Sequence, residues 1–276
     1  KTPYAEINYA QLVPFMTDVP EWADSWDYIS YDGVTMGKFI GASAKDLPRV
    51  TVSAKKSSVP IGYAGIGYDY SLDEMRKSAQ MRMPIDTTKA ELAFRGAQEH
   101  QQTVAYFGDA DRGMTGLFNN PNLALDSFTI NLFTASGADI VAEVNDLLTT
   151  VWTNSKSIHL PDTLVITPAL YASWTSRRMD SGTDTTIMEF IMRNNLYTSR
   201  TKQQLNVEPR YQLEAAELAA NGVSNGGKDR MLAYEKNARN LSLANPLPFR
   251  PTAPQIMGLN IAVDCEYKVS GVEWRF

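Results

Sequence analysis

The sequence predicts an α+β fold built around one long surface helix. Three observations carry this prediction. A helical pattern over residues 87–107 is bounded by the N-cap candidates Asp86 and Thr87 and by Gly108. Residues 28–70 are rich in alternating apolar and small residues, as in strands, and residues 137–250 mix strand and helix patterns.

Composition sets limits on function. The 276 residues are 43% hydrophobic, and no apolar run approaches the 18 residues that a membrane span needs. The net charge of −5 argues against a protein whose main task is to wrap DNA. The single cysteine, Cys265, excludes an intramolecular disulfide and a cysteine-based metal cluster.

Residues 1–27 combine three prolines with scattered aromatic residues. Prolines prevent a long helix, while aromatic side chains favour burial. Two interpretations stay open: an extended arm that anchors on another surface, or a short helix and strand packed on the chain's own domain. Because the sequence starts at Lys1 without Met, either the numbering begins after a further segment or a leader has been removed.

Residues 28–70 predict a long β-hairpin. We expect strands over Val34–Ile40, Arg49–Ala54 and Val59–Tyr70, with turns at Asp32-Gly33 and 41–48. A hairpin with so few bulky residues cannot build its own core, so it should lie on something else. Gly62 and Gly65 would let the last strand lie close to a neighbour's backbone.

The long helix follows a shorter one. Ser71 and Glu74 form a capping-box pattern that opens a helix ending near Met81. In the long helix, about 30 Å in length, the apolar residues form a narrow stripe with polar residues around it, which is typical of a helix lying on a surface. The stripe consists of Ala93, Ala97, Val104 and Phe107, with His100 among them. Phe128–Phe133 is predicted as a strand.

Residues 137–250 predict an α/β unit. The expected elements are a helix from Ile140 to Val151, a strand over Leu164–Ile166, a helix after Thr167-Pro168, a helix opened by the Thr186–Glu189 capping box, and strands over Leu205–Leu213 and Met231–Tyr234. Residues 222–229 give a strong loop signal. Four prolines between Asn245 and Pro254 predict an irregular segment, and Ile261–Val269 alternates as one long strand.

Several stretches carry a resemblance to a known family. They are Met83-Pro84-Ile85-Asp86 before the long helix, Tyr106-Phe107-Gly108-Asp109 at its end, Gly116-Leu117-Phe118-Asn119-Asn120 after it, and the closing residues 271–276. In their order along the chain they resemble tailed-phage major capsid proteins and the related encapsulin-like (linocin-like) shells, which share the Hong Kong 97-type capsid fold.

The resemblance implies a domain organisation. It comprises an N-terminal arm (1–27), an extended E-loop hairpin (28–70), a P-domain (71–136) with a spine helix at about 87–107, an α/β A-domain (137–250), and a return strand that completes the P-domain (251–276). It further implies that the chain is not an enzyme. Its function would be to self-assemble into the icosahedral shell of a tailed bacteriophage around the genome; the alternative is an encapsulin-like compartment around cargo protein.

The resemblance also implies partners and a location. The chain would bind copies of itself in pentamers and hexamers, enclose DNA without sequence-specific binding, and bind no membrane. Scaffold, portal and decoration proteins are further partners that it allows. The protein would be assembled in the host cytoplasm and reside in the virion. Loss of an N-terminal piece on maturation, as in related capsid proteins, would account for the missing Met.

No residue pattern predicts a catalytic, cofactor or metal site. Asp109-Ala110-Asp111 resembles the start of a calcium loop, but Asn120 stands where that loop needs Glu, so a helix-ending turn is favoured. The glycines from Gly62 on have the wrong order for a dinucleotide site. His100 and His159, the only histidines, lack the motifs of a hydrolase or a zinc enzyme.

Six residues are candidates for contacts between subunits: Lys55, Lys56, Gly62, Gly65, Arg177 and Arg178. The paired basic residues suit ion pairs across an interface. Either Ala219–Arg230 or Arg178–Thr185 would lie at the ring axis. Some members of the resembled fold join a hairpin lysine to a neighbour's asparagine, but no acid is placed to assist Lys55 or Lys56, so we expect non-covalent contacts.

Overall fold

The computed structural model describes residues 6–33, 39, 49–81 and 85–275, without the side chains of Asp32, Ile85 and Asp86. Its helices are α1 (Tyr9–Leu12), α2 (Leu72–Met81), α3 (Ile85–Phe107), α4 (Gly137–Asn154), α5 (Pro168–Ser176), α6 (Ile187–Arg193), α7 (Leu196–Thr201) and α8 (Ala215–Ala220). Its strands are β1 (Phe15–Met16), β2 (Ser25–Asp32), β3 (Ser53–Ser71), β4 (Thr163–Ile166), β5 (Asn206–Pro209), β6 (Leu232–Tyr234), β7 (Leu241–Ala244), β8 (Leu247–Pro251), β9 (Gln255–Met257), β10 (Asn260–Ser270) and β11 (Val272–Trp274).

The strands form three sheets. The largest has the order β2-β3-β10-β8, with β9 also pairing with β10. The two smaller sheets have the orders β1-β7-β11 and β5-β4-β6. The 19-residue strand β3 holds the largest sheet together, because its first part pairs with β2 and its second part with β10, both antiparallel.

Helix α3 lies against one face of the largest sheet. Ala93 and Ala97 are buried, and a Cβ atom added at Gly96 would lie 3.0 Å from Cδ1 of Ile66. Small residues therefore let the helix approach the strand closely. The hydroxyl of Tyr267 on β10 lies 2.8 Å from Nδ1 of His100. The predicted long helix is confirmed and begins two residues earlier than expected.

The chain turns back sharply after α3. Gly108 has a φ of +70°, which only glycine adopts easily. The N–H groups of Leu117 and Phe118 then donate to the carbonyls of Ala105 and Tyr106, each at 2.9 Å. The side-chain amide of Asn119 donates to the carbonyl of Phe107. The segment thus satisfies helix-end carbonyls that would otherwise lack partners.

A second core lies within residues 140–207. It packs helices α4, α5 and α6 on strand β4, and Trp174 is fully buried in it. Both predicted capping boxes are present: the hydroxyls of Ser71 and Thr186 accept from the N–H groups of Glu74 and Glu189. Thr167 is the N-cap residue of α5, as its Thr-Pro order predicts.

The predicted strand over Phe128–Phe133 is wrong, since no strand forms there. Its carbonyls bind side chains instead of a partner strand. The indole of Trp174 donates to the carbonyl of Leu132 at 3.2 Å, and Arg177 donates to the carbonyl of Phe133 at 2.7 Å. Apolar alternation here marks an irregular segment that seals the second core.

Three other predicted boundaries are corrected. Residues 247–251 form strand β8 despite their prolines, because β8 lies at the sheet edge, where a missing N–H is tolerated. The predicted strand 205–213 ends at Pro209 and gives way to a 3-10 turn. In the hairpin the strands are residues 25–32 and 53–71, so residues 49–52 lie outside them. The predicted strand Val34–Ile40 falls outside the described residues, apart from residue 39.

The N-terminal segment packs on its own domain over residues 6–16. Helix α1 buries Tyr9 and Leu12, and β1 pairs in parallel with β7. For these residues the second of the two interpretations holds. Within the described part of the chain, no helix is both long and apolar enough to cross a membrane.

Candidate assembly surfaces

The first half of β3 and all of β2 form a two-stranded ribbon that extends from the sheet. In the ribbon Trp26 pairs with Val59 and Tyr31 with Ala54. From Ile61 onward β3 pairs with β10 instead. Pro60 stands at this change of partner, where its missing N–H costs little. Two strands alone are marginally stable in water, so the ribbon needs further contacts.

One face of the ribbon is anchored to the body near its base. The guanidinium of Arg275 lies 4.9 Å from the ring centroid of Trp26 and 5.5 Å from that of Tyr28. The hydroxyl of Tyr28 donates to Glu273 at 2.7 Å. Burial is the main cause that raises the pKa of Tyr28, and this hydrogen bond is the second cause. The base of the ribbon is therefore held in a fixed direction.

The opposite face of the ribbon is uncovered and carries two large apolar side chains beside the Asp27–Lys56 ion pair. Ile29 and Tyr31 point to this side, because side chains two residues apart share a face. They are 53% and 72% exposed, and Val50 and Val52, just before β3, are 64% and 58% exposed. A concentration of exposed apolar side chains on so small an element marks an interaction surface.

Below the ribbon lies a groove with a volume of about 640 Å³. Its walls come from residues 16, 18–20 and 22–28 and from Arg275. Trp22 stands at this groove and is 80% exposed. The indole N–H of Trp26 is buried without a hydrogen-bond partner among the described residues. The groove therefore combines the exposed ring of Trp22 with the indole N–H of Trp26, which lacks a hydrogen-bond acceptor among the described residues.

The predicted hairpin lysines lie on the ribbon. The ammonium of Lys56 lies 2.7 Å from the carboxylate of Asp27, and this hydrogen bond lowers the pKa of Asp27. Lys55 is exposed, and its ammonium makes no ion pair among the described residues. Lys55 therefore stays available for a partner.

The two predicted glycines make contacts inside the subunit. A Cβ atom at Gly62 would lie 3.0 Å from Cε of Met114 and 3.3 Å from Arg112. A Cβ atom at Gly65 would lie 3.0 Å from the carbonyl oxygen of Cys265. Within the subunit the close neighbours of both glycines therefore belong to their own chain, and contact of Gly62 or Gly65 with a neighbouring chain stays a prediction.

The two predicted arginines differ. Arg177 binds the carbonyls of Phe133 and Ala135 and so fixes the segment before α4. Arg178 lies on the exposed loop 178–185 and pairs loosely with Asp184 at 3.7 Å. Arg178 is the more exposed of the two, and contact of either arginine with another subunit stays a prediction. The structure does not bring the six predicted residues together into one site.

A buried polar network was missed by the sequence analysis. The N–H of Asn8 donates to Gln102 at 2.8 Å, and the hydroxyl of Tyr106 donates to the side chain of Asn8 at 2.8 Å. The hydroxyl of Tyr234 donates to the carbonyl of Leu12 at 2.8 Å. Burial raises the pKa values of both tyrosines.

Arg210 extends this network. Its side chain is 4% exposed, donates to Gln11 at 2.7 Å and lies 3.2 Å from Glu208. Together these contacts fasten residues 6–12 to both α3 and the β5-β4-β6 sheet. No sequence signal indicated this network, because Gln101 and Gln102 fall among the polar residues that surround the apolar stripe.

The Asp109 turn ends helix α3. The carboxylate of Asp109 accepts from the N–H of Asp111 at 3.1 Å and lies 3.5 Å from Arg112. Within the described ranges no three His, Cys, Asp or Glu side chains converge as metal ligands would. Desolvation lowers the pKa of His100, which faces Tyr267, while His159 lies 2.9 Å from Glu235. These groups have structural partners.

Most of this chain matches a family model. The model describes major capsid proteins, and it matches residues 36–276. No curated protein matches the sequence. The match covers β3, α3, the second core and the closing strands, which are the elements described above.

Solved structures of phage capsids share the fold. The capsid of Myoviridae phage XM1 is similar with a TM-score of 0.83 and 15% identity, covering 100% of this chain and 90% of that one. The Mycobacterium phage Ogopogo structure is similar with a TM-score of 0.58 and 11% identity, covering 96% of this chain and 87% of that one. The capsid of an empty GTA particle is similar with a TM-score of 0.59 and 13% identity, covering 99% of this chain and 89% of that one.

These similarities confirm the predicted α+β capsid fold. The comparisons give the encapsulin alternative no support, whereas the family model covers most of the chain. The chain belongs to the major capsid protein family, whose members are structural subunits of capsid shells.

Proposed function

We propose that this chain tiles the closed icosahedral shell of a tailed bacteriophage, arranged in rings of five and six copies around the genome. The observation that carries the proposal is the ribbon. Its outer face exposes Ile29 and Tyr31, and two strands cannot bury these groups by themselves. Contact with another subunit supplies the missing surface.

The geometry of assembly follows from the shape of the subunit. A ribbon on one side of a subunit that docks elsewhere on the next subunit makes a head-to-tail contact. Such contacts close into rings when the rotation between subunits is suitable. Each contact can be weak, because every subunit is held by several partners at once.

We assign the domains on this basis. The E-loop corresponds to residues 28–70, the P-domain to 71–136 with the return segment 251–276, and the A-domain to 137–250. The separate core within residues 140–207 supports the A-domain, and the pairing of β3 with β10 supports the return segment. In residues 1–27, the arm is limited to what lies outside the packed segment 6–16.

The loop 178–185 is the better candidate for the ring axis. The competing loop 219–230 is tied to the segment after α3, because Arg230 donates to the carbonyl of Phe118 at 2.7 Å. Residues 180–184 are also exposed, and the Arg178–Asp184 pair can exchange partners between neighbouring copies. This exchange would form a ring of alternating charges.

The proposed role needs no enzymatic activity. The shell would bind copies of itself, hold DNA without reading its sequence, and reside in the virion after assembly in the host cytoplasm. Scaffold, portal and decoration proteins would join at stages of assembly. A negative net charge suits a container that must not bind DNA tightly along every subunit.

Electron microscopy of the purified protein tests the proposal. At high concentration we expect hollow, roughly isometric particles, or rings on the way to them. A matched control replaces residues 33–52 with Asn-Gly, a turn that joins β2 to β3 directly. This variant should keep its circular dichroism spectrum and form no closed particles. A parent protein that stays monomeric at every concentration and salt contradicts the proposal.

A further inference from the structure

We propose that Asn225 is a site of spontaneous deamidation, at which the chain converts its own asparagine into aspartate and isoaspartate. The reaction consumes water, needs no enzyme and does not depend on the proposed function. Two observations carry the inference. The backbone N–H of Gly226 has no acceptor among the described residues, and a guanidinium is fixed at the side-chain carbonyl of Asn225.

The chemistry is favoured where glycine follows asparagine. The backbone nitrogen of the glycine attacks the side-chain carbonyl carbon, Cγ, of the asparagine, so that a bond forms between these two atoms and the bond from Cγ to Nδ2 breaks. The attacking nitrogen gives its proton to water, and the side-chain amino group leaves as ammonia. Water then opens the resulting cyclic imide at either carbonyl and leaves aspartate or isoaspartate. Glycine favours the attack because no Cβ shields its nitrogen or restricts its backbone.

The dipeptide Asn-Gly occurs twice in the sequence, at 221–222 and 225–226. The two sites differ in the attacking nitrogen. The N–H of Gly222 donates to the carbonyl of Ala219 at 3.1 Å, so this nitrogen is held in the turn that ends α8. The N–H of Gly226 donates to no acceptor in the part of the chain that the structure describes. A Cβ atom at Gly226 would meet nothing within 4 Å, so this position is open to solvent.

Arg230 activates the side-chain carbonyl of Asn225. Its Nε donates to Oδ1 of Asn225 at 3.0 Å. Two further hydrogen bonds hold the guanidinium in place, from Nη1 to the carbonyl of Phe118 at 2.7 Å and from Nη2 to the carbonyl of Ser224 at 3.3 Å. Negative charge develops on Oδ1 when the nitrogen attacks Cγ, and a positively charged donor that is already in place stabilises this charge.

The other end of the Asn225 amide is also held. Its Nδ2 donates to the carbonyls of Lys228 at 2.5 Å and Asp229 at 3.3 Å, so the partners on both sides fix which end is oxygen and which is nitrogen. The backbone that follows can adapt to ring closure, because Gly226 and Gly227, with φ values of +59° and +69°, are adjacent glycines.

Asn221 lacks this activation. Its Nδ2 donates to the carbonyl of Glu217 at 2.8 Å, which ties the side chain to α8. Its Oδ1 accepts no hydrogen bond from a cation within the described ranges. Deamidation should therefore concentrate at Asn225, although the two dipeptides are identical.

The product changes the contacts of the loop. A carboxylate at position 225 converts the hydrogen bond from Arg230 into an ion pair. The two donations from Nδ2 to backbone carbonyls are lost, because an ionised carboxylate only accepts hydrogen bonds. Each modified subunit gains one negative charge on an exposed loop, so the charge of the protein changes with its age.

Peptide mapping by mass spectrometry tests the inference on the parent protein. Unassembled subunits are kept at mildly alkaline pH, which favours loss of the proton from nitrogen, and are sampled over days. In the folded chain Asn225 should deamidate at least about tenfold faster than Asn221, as loss of one charge-assisted hydrogen bond corresponds to such a factor. In urea the two rates should agree within about threefold, since the contacts that distinguish the sites are gone. Equal rates in the folded chain, or an Asn225 that is modified only in urea, would overturn the inference.

A pair of variants tests the part played by Arg230. Arg230→Met should slow deamidation of Asn225 by about tenfold, because it removes the donor to Oδ1. The matched control Lys228→Met removes a positive charge from the same loop but leaves that donor, and it should keep the parent rate within about twofold. Circular dichroism checks that both variants fold. If both variants slow the reaction equally, or neither does, Arg230 does not activate Asn225. If Arg230→Met fails to fold, the comparison of the two asparagines in the parent protein decides.

Discussion

Replacing Ile29 and Tyr31 with serine should weaken assembly without affecting the fold of the subunit. Both side chains lie on the uncovered face of the ribbon, 53% and 72% exposed. They contribute little to the subunit's own core. Their apolar area is instead removed from water when a neighbouring subunit covers the ribbon.

The expected magnitude follows from these exposed fractions. Full burial of a large apolar side chain stabilises by about 1.5–3 kcal/mol. Covering the exposed part of each side chain is then worth about 1 kcal/mol, or roughly 2 kcal/mol for the pair. With tenfold per 1.4 kcal/mol, the critical concentration for assembly should rise about 30-fold.

Light scattering over a concentration series measures this change, and thermal unfolding checks the fold. The matched control is Ile29→Val with Tyr31→Phe, which keeps most of the apolar area and should assemble nearly as the parent does. If the serine variant assembles within about twofold of the parent concentration, the ribbon face is not buried between subunits and the reasoning is refuted.

Three further predictions follow. Leu117→Ala should lower the free energy of unfolding of the unassembled subunit by about 2–5 kcal/mol, since Leu117 is fully buried. The control Leu125→Ala, at a residue that is 74% exposed, should change it by less than about 0.5 kcal/mol. Urea unfolding of both variants measures the difference. Burial lowers the pKa of His100, so at mildly acidic pH the unfolded chain binds more protons than the folded chain, and the free energy of unfolding should fall as the pH drops below about 6.5. In urea titrations at several pH values, His100→Gln should make this pH dependence flatter. An unchanged pH dependence in that variant contradicts the prediction. We expect non-covalent contacts between subunits, so particles boiled in detergent should give one gel band near 30.7 kDa, and a ladder of multimers would show covalent joining.

Local rules predicted the elements whose signals are complete within a few residues. Helix α3 was found from its narrow apolar stripe and terminal glycine, although it begins at Ile85, so the N-cap candidates Asp86 and Thr87 lie inside the helix. The capping boxes at Ser71 and Thr186 were found for the same reason. The long strand β10 was found from its alternation, which reflects one buried and one exposed face.

Non-local partners explain the failures. The pattern over residues 128–133 suits a strand, but its carbonyls bind Trp174 and Arg177, which are more than 40 residues away. The prolines of β8 are tolerated only because that strand lies at an edge, which depends on the whole sheet. Local sequence cannot reveal either arrangement.

The candidate surface was predicted only in part. Sequence patterns placed Lys55 and Lys56 on an extended hairpin and indicated that the hairpin should lie on something else. They did not indicate the groove at residues 16–28, because it forms only when β2 pairs with β3 and Arg275 packs over Trp26. The network around Arg210 was likewise invisible, since its members come from four separate segments.

A cryo-electron microscopy map of the assembled particle tests the central claim most directly. We predict that the ribbon of each subunit, residues 25–32 and 53–60, lies on a neighbouring subunit with Ile29 and Tyr31 covered. A map in which the ribbon folds onto its own subunit, or stands free in solvent with those side chains uncovered, would contradict the account.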